Sequence, residues 1–247
     1  CAGFGSDAKA GTLGADWIED LVLREAGPYT YDQWVAHHVS FSDPAIKHAF
    51  ESFQQLLLGS GDTAVSFSEI APMTTGSTDD IATALGAGSC ALAHGPVSFA
   101  RNLTDPQAGN TTVGPKGALW AFLMPSVVAG GNSVTGGGDI VAAFSNDADT
   151  IAVQKYLSSA KWANSRVTLG GVISANNAVD PAEASTPILT EAMKILQDPR
   201  TVFRFDASDQ MPESVGSGSF PACMEHWVGG ASLATVLLSV DAQWPTE

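Results

Sequence analysis

A chain of 247 residues with 45% hydrophobic and 15% charged side chains holds enough apolar material for one large domain or two lobes. Eleven basic residues against 26 acidic ones leave a formal charge of −15, so the surface repels nucleic acid and anionic membranes, and both are discounted as partners. No apolar run approaches the ~18 residues that a membrane span requires.

In chain order, residues 15–26 read as a helix with Trp17, Leu21 and Val22 near one face. Asp43 and Pro44 supply an N-cap and a first-turn proline for a second helix. It carries Ile46, Phe50, Phe53, Leu57 and Leu58, and Gly59-Ser60-Gly61 stops it. A short helix over 78–86 has Ile81, Ala82 and Leu85 as its apolar side. A short buried strand is expected at 89–93, broken by Gly95-Pro96. Residues 102–117, rich in Asn, Thr, Gly and Pro, read as a surface loop. Further strands are expected at 119–123, ending at Met124-Pro125, and at 140–144 and 172–174. Glycine turns are expected at Gly130-Gly131 and Gly136-Gly137-Gly138. Helices are expected at 147–157, 161–167, 187–197, 219–228 and 232–243. The class is mixed α and β, with strands scattered between helices.

The three cysteines, Cys1, Cys90 and Cys223, lack CxxC spacing, which speaks against a zinc ribbon or a thioredoxin-like site. A Cys1–Cys90 disulfide with Cys223 free and three reduced thiols both remain open. Cys1 itself reads either as the lipidated first residue of a mature lipoprotein or as an internal residue of a longer chain.

The densest chemistry lies at Arg204-Phe205-Asp206-Ala207-Ser208-Asp209-Gln210-Met211-Pro212, where an aromatic ring, two acids and a hydroxyl precede a helix. Carboxylates accept hydrogen bonds from hydroxyls, and a ring covers the apolar face of a sugar. An acidic loop that merely caps a helix has the same composition. Gly136-Gly137-Gly138-Asp139 lacks the GK[ST] ending and the GxGxxG spacing of phosphate loops, so a tight turn or a close backbone approach is the better reading. No GxSxG nucleophile elbow occurs. His37 and His38 are adjacent, His48, His94 and His226 are isolated, and no spacing suits a metal. Asp206 and Asp209 have the residue types of a glycosidase acid and base, and equally those of a binding site. Among six tryptophans, Trp17 stands out as a ligand platform because Gly14 and Asp16 flank it at the start of its helix.

Several stretches, taken in order, resemble extracellular solute-binding proteins of bacterial sugar importers, the maltose- and α-glucoside-binding group. They begin with Ala15-Asp16-Trp17-Ile18-Glu19-Asp20-Leu21, Tyr31-Asp32-Gln33-Trp34-Val35 and His94-Gly95-Pro96. Gly136-Gly137-Gly138-Asp139, Tyr156-Leu157-Ser158-Ser159 and Gly170-Gly171-Val172-Ile173-Ser174-Ala175-Asn176 follow. Ile195-Leu196-Gln197-Asp198-Pro199 and the stretch from Phe203 to Asp209 close the series. The match is to the later part of such proteins. It implies a two-lobed α/β fold of the type II periplasmic-binding-protein kind, mostly the second lobe with part of the first. Residues 1–118 and 187–247 would belong to the second lobe, 119–129 to a hinge crossing and 130–186 to the first lobe.

The resemblance also implies a sugar-binding, non-catalytic component of an ABC importer that closes on its ligand and docks on permease transmembrane subunits. No cofactor or metal is implied. The protein would be a monomer, extracellular, cell-surface or periplasmic, with a lipid anchor on the full-length parent. Trp17 would be a ring platform, Gly137, Gly138 and Asp139 a cleft-lining turn, and Phe205, Asp206, Asp209 and Met211 the second lobe's approach to the ligand. Cys1 would pair with Cys90. The chain departs from the group at Pro221, where an aromatic often stands, and at Val97 and Phe99, which stand in place of tryptophans. Two other readings compete: a glycoside hydrolase using Asp206 and Asp209, and a surface lipoprotein serving as an adhesion or scaffold module.

Overall fold

The computed structural model describes residues 11–59, 76–104, 112–127 and 131–245. Helix α1 (Thr12–Glu25) starts at Gly11, whose φ of 84° is left-handed. A Cβ at Gly11 would lie 2.1 Å from the Pro221 carbonyl oxygen, so only glycine permits the approach of α1 to helix α10 (Phe220–Val228). The sequence pattern gave no sign of α2 (Gly27–Val35), which has Pro28 in its first turn and buries Tyr31 and Trp34. Helix α3 (Pro44–Leu58) begins where Asp43 and Pro44 predict, with the Asp43 carboxylate accepting from the Ala45 N–H at 2.8 Å. Ile46, Ala49, Phe50 and Phe53 on its inner face pack against α1.

These helices share one apolar core with α10 and α11 (Leu233–Asp241). Its centre is aromatic: Trp34 meets Phe41 at 5.0 Å and Phe220 at 5.7 Å, all edge to face. Such pairs add ~0.5–1.5 kcal/mol each to the gain from burial. Asp241 ties the end of α11 back to the loop before α3, accepting from the Phe41 N–H at 2.7 Å and the Ser42 N–H at 3.1 Å.

Helix α4 (Thr78–Gly86) has a capping box between Ser77 and Asp80 and forms a second small cluster with Cys90 and Leu103. The strand expected at 89–93 is absent. The Ser89 and Cys90 amides turn back to the Ala84 carbonyl at 3.0 and 3.2 Å, finishing the helix, and Leu92 is exposed. The loop expected at 102–117 overlaps a short helix, α5 (Ala100–Thr104). The strand expected at 119–123 reduces to one isolated bridge, Val113 to Leu119, that closes a tight turn.

Among the described residues the sheet has two parallel strands, β1 (Asn132–Gly136) and β2 (Thr201–Phe205), paired from Asn132↔Thr201 to Gly136↔Phe205. Neither is where a strand was expected. The more apolar 140–144 run is irregular, with Ile140 82% and Phe144 98% exposed, and 172–174 is irregular too. A strand exists through its ladder. Among the described residues the ladder alongside β2 is taken by 132–136. Helices α6 (Ala148–Leu157) and α7 (Ala160–Leu169) are capped by Asp147 and Ser159, and α8 (Pro187–Gln197) by Thr186. Ala163 and Val167 of α7 meet Met193 of α8 and Val179 in a third cluster. The result is a mixed, mainly helical chain with a small sheet. Cys90 is in a disulfide and Cys223 is a buried free thiol. Cys1, its expected partner, lies outside the described residues.

Candidate ligand-binding site

Parallel pairing sends β1 and β2 out at the same end of the sheet, so Gly137 and Asp206 leave side by side. The Asp206 N–H continues the ladder onto the Gly136 carbonyl at 3.3 Å. A single helical turn, α9 (Ala207–Gln210), then carries Asp209 back toward Gly137. A Cβ on Gly137 would sit 3.2 Å from Asp209 Oδ2 and 3.3 Å from Asp206 Oδ2. The two acids therefore converge on bare backbone, and glycine is what lets them.

Helix α1 passes beside β1 and adds Asp16, Glu19 and Asp20. Glu19 is fully buried and accepts from the Ala207 N–H at 2.9 Å and the Ser208 N–H at 3.1 Å, holding the first turn of α9. Those amides favour the carboxylate. Burial outweighs them, and with the nearby Asp206 charge it pushes the Glu19 carboxyl up to about 8. Burial first, and then Asp16, Asp209 and Asp20, pushes Asp206 up to about 7. Asp16 rises to about 6 through burial, despite the opposing influence of His94. Near neutral pH this cluster therefore holds protons, and its carboxyl groups both donate and accept hydrogen bonds.

From below, a π-helical turn (Ser214–Ser219) supports α9. A Cβ on Gly216 would lie 1.9 Å from the Ser208 carbonyl oxygen, so this glycine lets the turn lie directly under the site. Tyr31 donates to the Phe205 carbonyl at 2.9 Å, and Arg204 grips Asp32 through two bonds of 2.6 and 2.9 Å. The end of β2 is thereby pinned to α2.

Of the residues singled out in the sequence, the fold brings Gly137, Asp206 and Asp209 together. Trp17 is half-buried on α1 next to Asp16, its ring against His94 and the edge of Phe53. Phe205 is 45% exposed and meets Phe203 edge-on. Gly138 and Asp139 are exposed, with open space around Gly138. Met211 is 6% exposed, part of the large core, and its N–H donates to the Ala207 carbonyl. A thioether directly after a one-turn helix finds more apolar surface inward than outward.

Asp16, Glu19, His94 and Gly216 belong to this neighbourhood without having been singled out. The available signal was the run of acids at positions 16, 19 and 20 of α1, of which Glu19 and Asp20 are buried along with Ala15 and Ile18. Acids on a buried helical face need partners. Among the described residues, no group of three or more His, Cys, Asp and Glu side chains has the geometry to hold a metal ion. No described helix is long and apolar enough to cross a membrane.

No protein-family model and no solved structure matches the chain. Two relatives do. The osmoprotective compounds-binding protein GgtB of Synechocystis sp. is 29% identical over 246 residues, 99% of this chain and 56% of that protein. The alpha-glucosides-binding periplasmic protein AglE of Rhizobium meliloti is 28% identical over 247 residues, 99% of this chain and 52% of that protein. The chain is a relative of solute-binding proteins. It spans about half the length of the curated relatives it matches. That agrees with the resemblance carried by the order of its motifs, which covers only part of such proteins.

Proposed function

We propose that this chain is the ligand-capturing part of a non-catalytic, carbohydrate-binding component of an ABC sugar importer. The carrying observation is the convergence of Asp206 and Asp209 on Gly137, next to Asp16 and Trp17. A polyhydroxylated ligand would donate and accept hydrogen bonds at these carboxyl groups and lay an apolar ring face toward Trp17. The bare backbone of Gly137 admits it closely. Relatives named for osmoprotective compounds and α-glucosides support a small hydroxylated ligand.

The binding reading is preferred to the glycoside hydrolase. Both relatives are named as binding proteins.

In this reading residues 130–186 belong to a first lobe, 1–118 and 187–247 to a second, and 119–129 cross the hinge. The exposure of Phe122, Ile140, Val141 and Phe144 supports a further packing surface in the parent protein. Closure of the lobes would present them to permease transmembrane subunits, with the protein acting as a monomer outside the cytoplasmic membrane, held there by a lipid.

The test is a thermal-shift screen against α- and β-linked disaccharides, on this chain and on the full-length parent. Ligand at about a hundred times Kd stabilises the native state by ~2.7 kcal/mol, a shift of several degrees. One sugar class raising the melt of the parent supports the reading. No shift by any sugar in the parent, or aryl-glycoside hydrolysis lost in Asp209→Asn, would refute it.

A further inference from the structure

Trp17 is not a free-standing ring. His94 comes from the extended segment between α4 and the 3₁₀ turn Val97–Phe99. Its ring centroid lies 4.2 Å from that of Trp17, with the planes inclined by 33°. His94 Nε2 is 3.4 Å from Asp20 Oδ2. Asp20 is buried, and its other oxygen is 3.0 Å from Arg24 Nε, one helical turn further along α1. Arg24 in turn donates from Nη1 to the Met124 carbonyl at 2.5 Å. A continuous chain of contacts therefore runs from the Trp17 ring through His94, Asp20 and Arg24 to the segment at residue 124. Arg24 alone would neutralise Asp20, so the second oxygen is free to hold an imidazole in place.

We infer that His94 is a positioning residue for the Trp17 ring, fastened from behind by the Asp20–Arg24 pair, and that ligand capture on the Trp17 side depends on it. The inference rests on the reading of Trp17 as a ligand face. A ring whose orientation is set before the ligand arrives loses less freedom on binding. The titratable and charged groups facing His94 are Asp20 and Asp16, both on α1, with Arg24 behind Asp20.

The test has two arms. Loss of the imidazole uncovers one face of the Trp17 indole, so acrylamide quenching of emission is compared in the wild-type chain, His94→Gln, Trp17→Phe and the double variant. Quenching is expected to rise in His94→Gln, and the rise is missing when Trp17 is also replaced by Phe. Equal quenching in wild type and His94→Gln overturns the inference. The second arm measures maltose binding to the full-length parent by calorimetry. His94→Ala weakens binding about tenfold, and His94→Phe, which restores a ring, by about threefold or less. If Trp17→Ala abolishes binding while His94→Ala binds like wild type, the positioning role falls and the platform stands. If Trp17→Ala binds like wild type, or the parent binds no maltose, the ligand-capture half of the inference falls with the platform reading. The emission arm still decides the contact separately.

Discussion

The acid cluster makes stability fall as pH rises through neutrality, against the usual behaviour of carboxylates paired with bases. Glu19 is raised from an ordinary 4.5 to about 8, Asp206 from 3.8 to about 7 and Asp16 from 3.8 to about 6. Between the unfolded and folded values the native state holds protons that the unfolded chain has released. Stability therefore decreases with pH across that interval and levels off above about 8. Each tenfold change in proton affinity is worth about 1.4 kcal/mol, so Glu19 at full strength would contribute ~4–5 kcal/mol between pH 5 and pH 9. Asp206 and Asp16 both raise Glu19, and Asp16 raises Asp206, so the contributions are not independent and a total of ~3–5 kcal/mol is expected from the cluster as a whole.

Asp147 and Asp198 have the opposite sign. Hydrogen bonds from Ser145 and Thr150 to Asp147, and from Arg200 to Asp198, hold both carboxylates below the usual range. Their contribution is lost only in stronger acid, outside this window. Chemical denaturation at half-unit steps from pH 5 to pH 9 measures the slope, in wild type and in Glu19→Gln. Wild type should lose stability with rising pH, and Glu19→Gln should lose less. A wild-type stability that is flat or rises over this range, or a variant with an unchanged slope, would refute the reasoning.

Three further outcomes follow from single contacts. Gly216→Ala puts a methyl group 1.9 Å from the Ser208 carbonyl oxygen and should destabilise by ~2–3 kcal/mol or more, read as a lower denaturation midpoint at unchanged m-value. Gly137→Ala brings a Cβ to 3.2 and 3.3 Å from the Asp209 and Asp206 oxygens. It should leave the melt within about 0.5 kcal/mol of wild type while weakening disaccharide binding at least tenfold, and calorimetry showing unchanged affinity would remove Gly137 from the site. Asp241→Ala frees the Phe41 and Ser42 amides and the end of α11, and thermal melts should show a loss of ~1.5–3 kcal/mol.

Most helices were legible because their signals are local. Asp43-Pro44 starts α3, Ser77 with Asp80 starts α4 and Asp147 starts α6, each through a side chain within a few residues of the amide it caps. The mainly apolar 140–144 run misled as a strand, while Asn132-Ser133-Val134-Thr135-Gly136 became one. Ladder bonds join residues far apart in the chain, and local composition does not say which segment lies alongside β2.

The site divides in the same way. The sequence by itself determined that Asp206 and Asp209 lie close together, that Trp17 stands beside an acid within a helix, and that a glycine run stands at 136–138; the helix begins at Thr12, three residues before the expected start. It also carried the ordered motifs shared with solute-binding proteins. Only the tertiary structure decided that Gly137 meets both acids, that Glu19 reaches across to hold α9, that Gly216 lies beneath Ser208 and that Met211 turns inward. These contacts span long separations, 188 residues between Glu19 and Ala207 for one. They exist because a parallel β pair delivers two distant segments to the same end of a sheet beside α1, a placement set by packing rather than by any local preference.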